Sequence, residues 1–266
     1  PAAGGGEEVL VTSGRNHTLT WETRDATEVR FDPSSLDAKS LPYRSIVGLP
    51  GAVPITLING GSFGPEDEGS AVIAFPEGFT FPWFGTSHAS AMVNVNGFLC
   101  FGTVGCDPTV SYFSNAFSTS APNNLLAPFW DALEVISTSR LAYLLEGTSP
   151  NRKLTVEWAD IHFTGGTGGP MTFQAVMYED GRWELWNAPR QFAEADTLST
   201  RQRRLGSSAS IGYEGPGGVP ALAYSNNVTT GLCGKSLTEA DKECPNQITV
   251  VRQLQLEPSG SAELRG

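Results

Sequence analysis

Residues 121–135 read APNNLLAPFWDALEV. A Pro-Asn-Asn turn leads into the apolar run Leu125-Leu126-Ala127-Pro128-Phe129-Trp130, which stops at Asp131. Turn residues, a short apolar run and a terminal carboxylate describe a core strand rather than a helix. Residues 173–181, FQAVMYEDG, make a second such strand, closed by a Glu-Asp-Gly turn.

The same pattern repeats outward from these two strands. Residues 92–95 and 98–102 flank Asn96-Gly97 and give the strongest hairpin signal of the chain. Asn-Gly accepts positive φ at both turn positions, so a two-residue type I′ turn is expected. Residues 141–146 and 153–158 form a second hairpin, and residues 171–178 and 182–186 a third, turned by 179–181. Residues 9–12, 17–21 and 29–31 alternate apolar and polar residues as an edge hairpin would. Residues 54–58, 70–75, 209–213, 221–225 and 247–254 supply further strands, and residues 32–53 read as a long Ser-, Pro- and Gly-rich connection. A helix or a helical turn is expected within 191–205, and one turn at 238–242. The expected fold class is all-β: a two-sheet antiparallel β-sandwich, jelly-roll-like, with long loops and little helix. The expected division is N-terminal strands and linker over 1–60, packed on the domain or swapped between subunits, the sandwich over 61–256, and a flexible tail over 257–266.

Composition agrees with that class and excludes others. The 266 residues include 30 Gly and 18 Pro, and 39% are hydrophobic, enough for a sizeable core. A net charge of −11 argues against nucleic acid, which calls for clustered Lys and Arg. No apolar run approaches the ~18 residues of a membrane span. Four cysteines allow three pairings. Local pairing of Cys100 with Cys106 and of Cys233 with Cys244 is favoured, since each closes a short loop at a strand end. A four-cysteine zinc site would show two-residue spacing, which is missing here. Disulfides imply an oxidising compartment.

The motif order resembles the nidogen-type (NIDO) domain and its bacterial relatives. The resemblance rests on FTFPWFG at 79–85, MVNVNGFLCFG at 92–102, APFWDAL at 127–133, Tyr143, RKLTVEW at 152–158, the hairpin of 172–186 and ASIGYEGPGG at 209–218. It implies an extracellular or cell-surface β-sandwich acting in adhesion, secreted or surface-bound, with no catalytic activity. Ala132 stands where the family pattern has a second Asp, which weakens a carboxylate-pair cation site.

The chemical motifs carry less. Gly60-Gly61-Ser62-Phe63-Gly64 fits G-x-S-x-G, but no helix is expected after it, so a Gly-rich turn is the better reading. Thr164-Gly165-Gly166-Thr167-Gly168-Gly169 lacks the Lys-Ser/Thr of a phosphate loop. His17, His88 and His162 form no HExxH or HxH pattern. Loop carboxylates at sheet ends are candidate calcium ligands, with Asp131 and Glu134 the best placed; no other cofactor is indicated. Asn16 and Asn227 open glycosylation sequons, read as chance.

Phe79, Phe81, Phe129 and Trp158 are expected in the core. Trp183 and Trp186 fall on opposite sides of an ideal strand, so one of them should face out and contact a ligand. The expected function is a non-enzymatic interaction or adhesion module. Its partner would be a protein or glycan at the cell surface, or a copy of itself reached through the N-terminal strands. A lectin-like carbohydrate-binding domain is the alternative.

Overall fold

A computed structural model shows the architecture. It describes residues 43–226 apart from 113–114, 166, 190–196 and 220, and beyond them 16–22, 29–30, 250–252, 255–256 and 259–265. In chain order the strands open with β1 (Asn16–Glu22), β2 (Val29–Arg30), β3 (Val53–Pro54) and β4 (Ser70–Ala74). Next come β5 (Phe81–Trp83), β6 (Thr86–His88), β7 (Ser90–Asn94), β8 (Phe98–Cys100), β9 (Leu125–Trp130) and β10 (Leu133–Glu134). Then follow β11 (Arg140–Glu146), β12 (Lys153–Phe163), β13 (Thr167–Tyr178), β14 (Trp183–Asn187) and β15 (Ser210–Glu214). The last are β16 (Ala221–Asn226), β17 (Val250–Arg252), β18 (Gln255–Leu256) and β19 (Ser259–Arg265). The α-helices among the described residues are short, α1 (Pro65–Glu68) and α2 (Leu198–Arg204).

The chain divides into two compact units, Pro1–Asp37 with Gln253–Gly266, and Ala38–Arg252. In the smaller unit β1 pairs antiparallel with β19, and β2 with β18. Residues 259–265, read from sequence as tail, therefore form a strand, and β1 finds its partner within its own chain. Residues 9–12 and the helical turn expected at 238–242 lie outside the described residues.

The larger unit is the expected all-β sandwich. The first sheet runs β16-β15-β9-β8-β7-β4 and the second β17-β14-β13-β12-β11-β3, with β10 also on β12. Period-2 alternation decides which side chains meet between them. Phe129 of β9 lies 5.6 Å from Phe173 of β13, and Phe173 stacks on Trp158 of β12 at 5.4 Å. Trp183 of β14 meets Tyr213 of β15 at 5.5 Å. Two hydrogen bonds cross the gap: Trp158 Nε1 donates to the Asn94 carbonyl at 2.9 Å, and Asn187 Nδ2 to that of Pro128 at 3.1 Å. Phe79, Phe81, Phe129 and Trp158 are all buried.

Three local expectations are corrected. The β7–β8 turn holds three residues, Val95-Asn96-Gly97, and only Gly97 has positive φ, at 81°. The cause is tertiary: Asn96 serves as a docking post for residues 129–133. Its carbonyl accepts from Asp131 N at 3.2 Å and its Oδ1 from Leu133 N at 2.8 Å. The Gly97 carbonyl accepts from Phe129 N, and a Cβ on Gly97 would lie 2.0 Å from the Phe129 oxygen. Of residues 54–58, only Pro54 belongs to a strand, while Ile58 makes a single bridge to Ser70. The Gly-rich stretch 60–64 is followed by one helical turn, α1, because Pro65 sits at its first position with three acidic residues behind it. Within 191–205 the helix is α2, capped by Thr197, whose side chain accepts from Thr200 N.

Both sheets have covered outer faces. On the first, Met92, Phe98, Cys100, Leu125, Ala127 and Trp130 lie beneath the 101–124 loop, which contributes Cys106, Tyr112 and Phe117. On the second, Ala142 and Leu144 lie beneath a strap formed by residues 43–52, anchored by Ile46.

A candidate binding cleft on the second sheet

The register of the second sheet lines up three rows of outward side chains. One row is Ala142, Glu157, Gln174 and Trp186; the next is Leu144, Thr155, Val176 and Glu184; the third is Glu146, Lys153 and Tyr178. Each alternates with an inward residue. In β14 Trp183, Leu185 and Asn187 are buried, whereas Glu184 and Trp186 are half-buried.

The strap covers one end of these rows and is held by a carboxylate. Glu157 is 0% exposed, accepts from Ile46 N at 2.6 Å and Val47 N at 3.2 Å through one oxygen, and from the Tyr43 hydroxyl at 3.0 Å through the other. Gln174 Nε2 adds a bond to the Arg44 carbonyl at 2.9 Å. A buried carboxylate is costly unless its oxygens find donors, and here backbone N–H groups supply them.

Beyond the strap Tyr178, Glu184, Trp186, Glu146 and Lys153 of these rows keep partial exposure. The result is a cleft of about 190 Å³, floored by Thr155, Gln174 and Val176 and walled by Tyr178, Glu184 and Trp186. Glu184 fixes both aromatics, accepting from the Tyr178 hydroxyl at 3.1 Å and from Trp186 Nε1 at 2.9 Å. Arg182 lies over the Tyr178 ring, 4.6 Å from its centre. At the far end Glu146 binds Arg44 at 2.7 Å and Lys153 at 3.4 Å. Partial burial raises the Glu146 carboxyl, yet these two cations hold it below the usual range. The cleft thus offers fixed aromatic rings, an acceptor and paired charges, the set with which polar ligands are oriented. A larger cavity of about 490 Å³ borders Ile55, Leu57, Ile136 and Arg140. Its Arg140 already donates to the carbonyls of Ser137 and Ser139.

The residues singled out from sequence are dispersed. Trp186 lines the cleft. Trp183 is core, 1% exposed, and the ligand role considered for it is corrected by its contact with Tyr213. Asp131 is buried, which pushes its carboxyl up, although Ser208 Oγ and the Ala132 N–H donate to it. Glu134 accepts from Gly165 N at 3.2 Å. Among the described residues no three His, Cys, Asp or Glu side chains gather into one cluster. Cys100 and Cys106 are disulfide-bonded, while Cys233 and Cys244 lie outside the described residues. Sequence reading missed Glu157 and Gln174, whose only signal is polarity at the outward positions of two alternating strands.

The architecture is a strapped two-sheet sandwich with a small polar cleft on its second sheet. A family model described as NIDO related matches residues 50–252, and the chain belongs to that family. No curated protein and no solved structure matches it. No helix among the described residues is long and apolar enough to cross a membrane.

Proposed function

We propose that the chain is a non-enzymatic interaction module, secreted or displayed at the cell surface, that engages its partner through the open end of the second sheet. The observation that carries this reading is the cleft, where one carboxylate holds Tyr178 and Trp186 in place beside Gln174 and Lys153. Fixed rings lose little entropy on binding, which suits them as anchors. Family membership supports an extracellular-type setting, and the Cys100–Cys106 disulfide fits an oxidising compartment.

The test is adhesion of cells or matrix to immobilised protein. Trp186→Ala and Glu184→Gln should abolish it while Val104→Ser, at an 87% exposed site in the first sheet's cover loop, leaves it intact. Equal adhesion by all four proteins would sink the reading. A glycan-binding variant of the same function is favoured by one observation, that the cleft volume suits a single sugar ring against the half-buried Trp186. A glycan array separates the two: signal lost in Trp186→Ala marks a saccharide ligand, and an array blank for the wild type marks a protein partner.

A further inference from the structure

The edge strands β3 and β4 end their sheets in different ways. Residues 53–58 run from one edge to the other. Val53 and Pro54 pair with β11, Ile55 N donates to the Leu141 carbonyl at 2.8 Å, and Ile58 bridges Ser70. Pro54 removes a donor from the outer side of β3, which discourages a further strand from adding there.

The β4 edge has no such protection. Ser70 exchanges both backbone bonds with Ile58, each at 2.9 Å. Backbone direction alternates along an antiparallel ladder, so Val72 and Ala74 present their N–H and C=O groups to the same side as Ser70. The other parity bonds toward β7, as Phe75 N to the Ala89 carbonyl at 2.8 Å shows. Among the described residues nothing pairs with the outward backbone of Val72 and Ala74. The strand reads SAVIA, without charge, proline or bulge, and Val72 is 60% exposed. Ile58, opposite Ser70 and diagonal to Val72, is 54% exposed. Unpaired N–H and C=O groups flanked by apolar side chains form a template for another strand.

Charge and register decide which strand. The edge is neutral in a chain of net charge −11, so a second copy can approach here without opposing like charges on the strand. A basic partner would find no carboxylate on β4 to pair with. The edge is also self-complementary. Ile58 occupies Ser70, which leaves Val72 and Ala74 as the outward positions. An antiparallel copy fills both when each Val72 meets the other copy's Ala74 and Ile73 lies on the two-fold axis. Each such pair exchanges both of its N–H···O=C bonds, and a large side chain faces a small one. The Pro76–Gly78 turn carries the chain away after β4, short of the other copy's Ile58. We propose that the chain forms a two-fold dimer by antiparallel pairing of β4 with β4 of a second copy, joining two six-stranded sheets into one. The contact lies on the first sheet and the cleft on the second, so the dimer presents the cleft twice.

The experiment is sedimentation velocity of the full chain, paired with hydrogen exchange at β4. Wild type should pass from monomer to dimer between about 1 and 100 µM. Exchange at the Val72 and Ala74 amides should slow about tenfold once nine-tenths of the chain is dimeric. Val72→Lys sets two cations beside the axis and should leave a monomer with unchanged Tm, because the site is exposed. Ala74→Pro removes a donor used only across the dimer and should do the same. Val104→Ser, in the cover loop, should dimerise as wild type does. Should a β4 variant fail to fold, exchange in the wild type still decides. A wild type that stays monomeric at the top of that range overturns the proposal. So does a dimer that survives both β4 variants or leaves the Val72 and Ala74 amides unprotected.

Discussion

The two outer faces of the sandwich are covered by different means. On the first sheet the cover is a long loop pinned by a disulfide and backed by aromatic packing of Phe98, Tyr112, Phe117 and Trp130. On the second it is a short strap whose Ile46, Val47, Leu49 and Ala52 pack on Ala142 and Leu144 and which hydrogen bonds tie to Glu157 and Gln174. The strap does not extend over Tyr178, Glu184 and Trp186, and the cleft occupies that part of the face.

The comparison breaks hardest at Gly97. Alanine there meets both a φ of 81° and the Phe129 carbonyl oxygen, at the junction on which β9 docks. Gly97→Ala should cost about 4 kcal/mol in denaturant titration; a loss below about 1 kcal/mol would mean the turn relaxes freely. Trp183 and Trp186 sharpen the contrast between core and cleft. Trp183→Ala should cost about 3–5 kcal/mol, whereas Trp186→Ala should stay within about 1 kcal/mol of wild type and show its effect in binding. Equal losses would deny that β14 has one buried and one open side.

The covers themselves come next. Glu157→Gln replaces a charged acceptor of two backbone N–H groups and should cost about 2 kcal/mol. Hydrogen exchange at Ile46 and Val47 should quicken while the 101–124 loop stays protected. Changing Cys100 and Cys106 together to Ser should cost about 2 kcal/mol and reverse that pattern. The smallest effect concerns Arg152, which joins the β13–β14 turn at Glu179 to the Glu77 carbonyl of the turn after β4, the latter at 2.7 Å. Its hydrogen bonds hold the Glu179 carboxyl down at about 2, below the ordinary 4.5. A depressed carboxylate stabilises above its unfolded pKa, so this contribution is complete above pH 4.5 and lost as pH falls toward 2. Arg152→Met should flatten that acid limb of the stability curve.

How much of this was legible in the sequence depended on the range of the interaction. Hairpins read correctly because alternation and turn residues are local, as 141–158 and 171–186 show. The parity of Trp183 and Trp186 was also legible, but which of them faces inward depends on the first sheet and so was not. The Asn96-Gly97 turn was misread because Leu133 and Asp131 recruit Asn96, a choice no local propensity carries. The strap looked like a plain connection because Glu157, its anchor, stands 111 residues away from Ile46.

The alternation of β14 has one more consequence. The strand is flanked by β13 and β17, so it can slide only by breaking two ladders. A slip of one residue would turn Glu184 into the interior and put Trp183 and Leu185 outside. Such a misregistered chain would bury an unpaired charge and display a sticky apolar stripe, making it both unstable and prone to clump. The residues that shape the cleft therefore also proofread the assembly of the sheet.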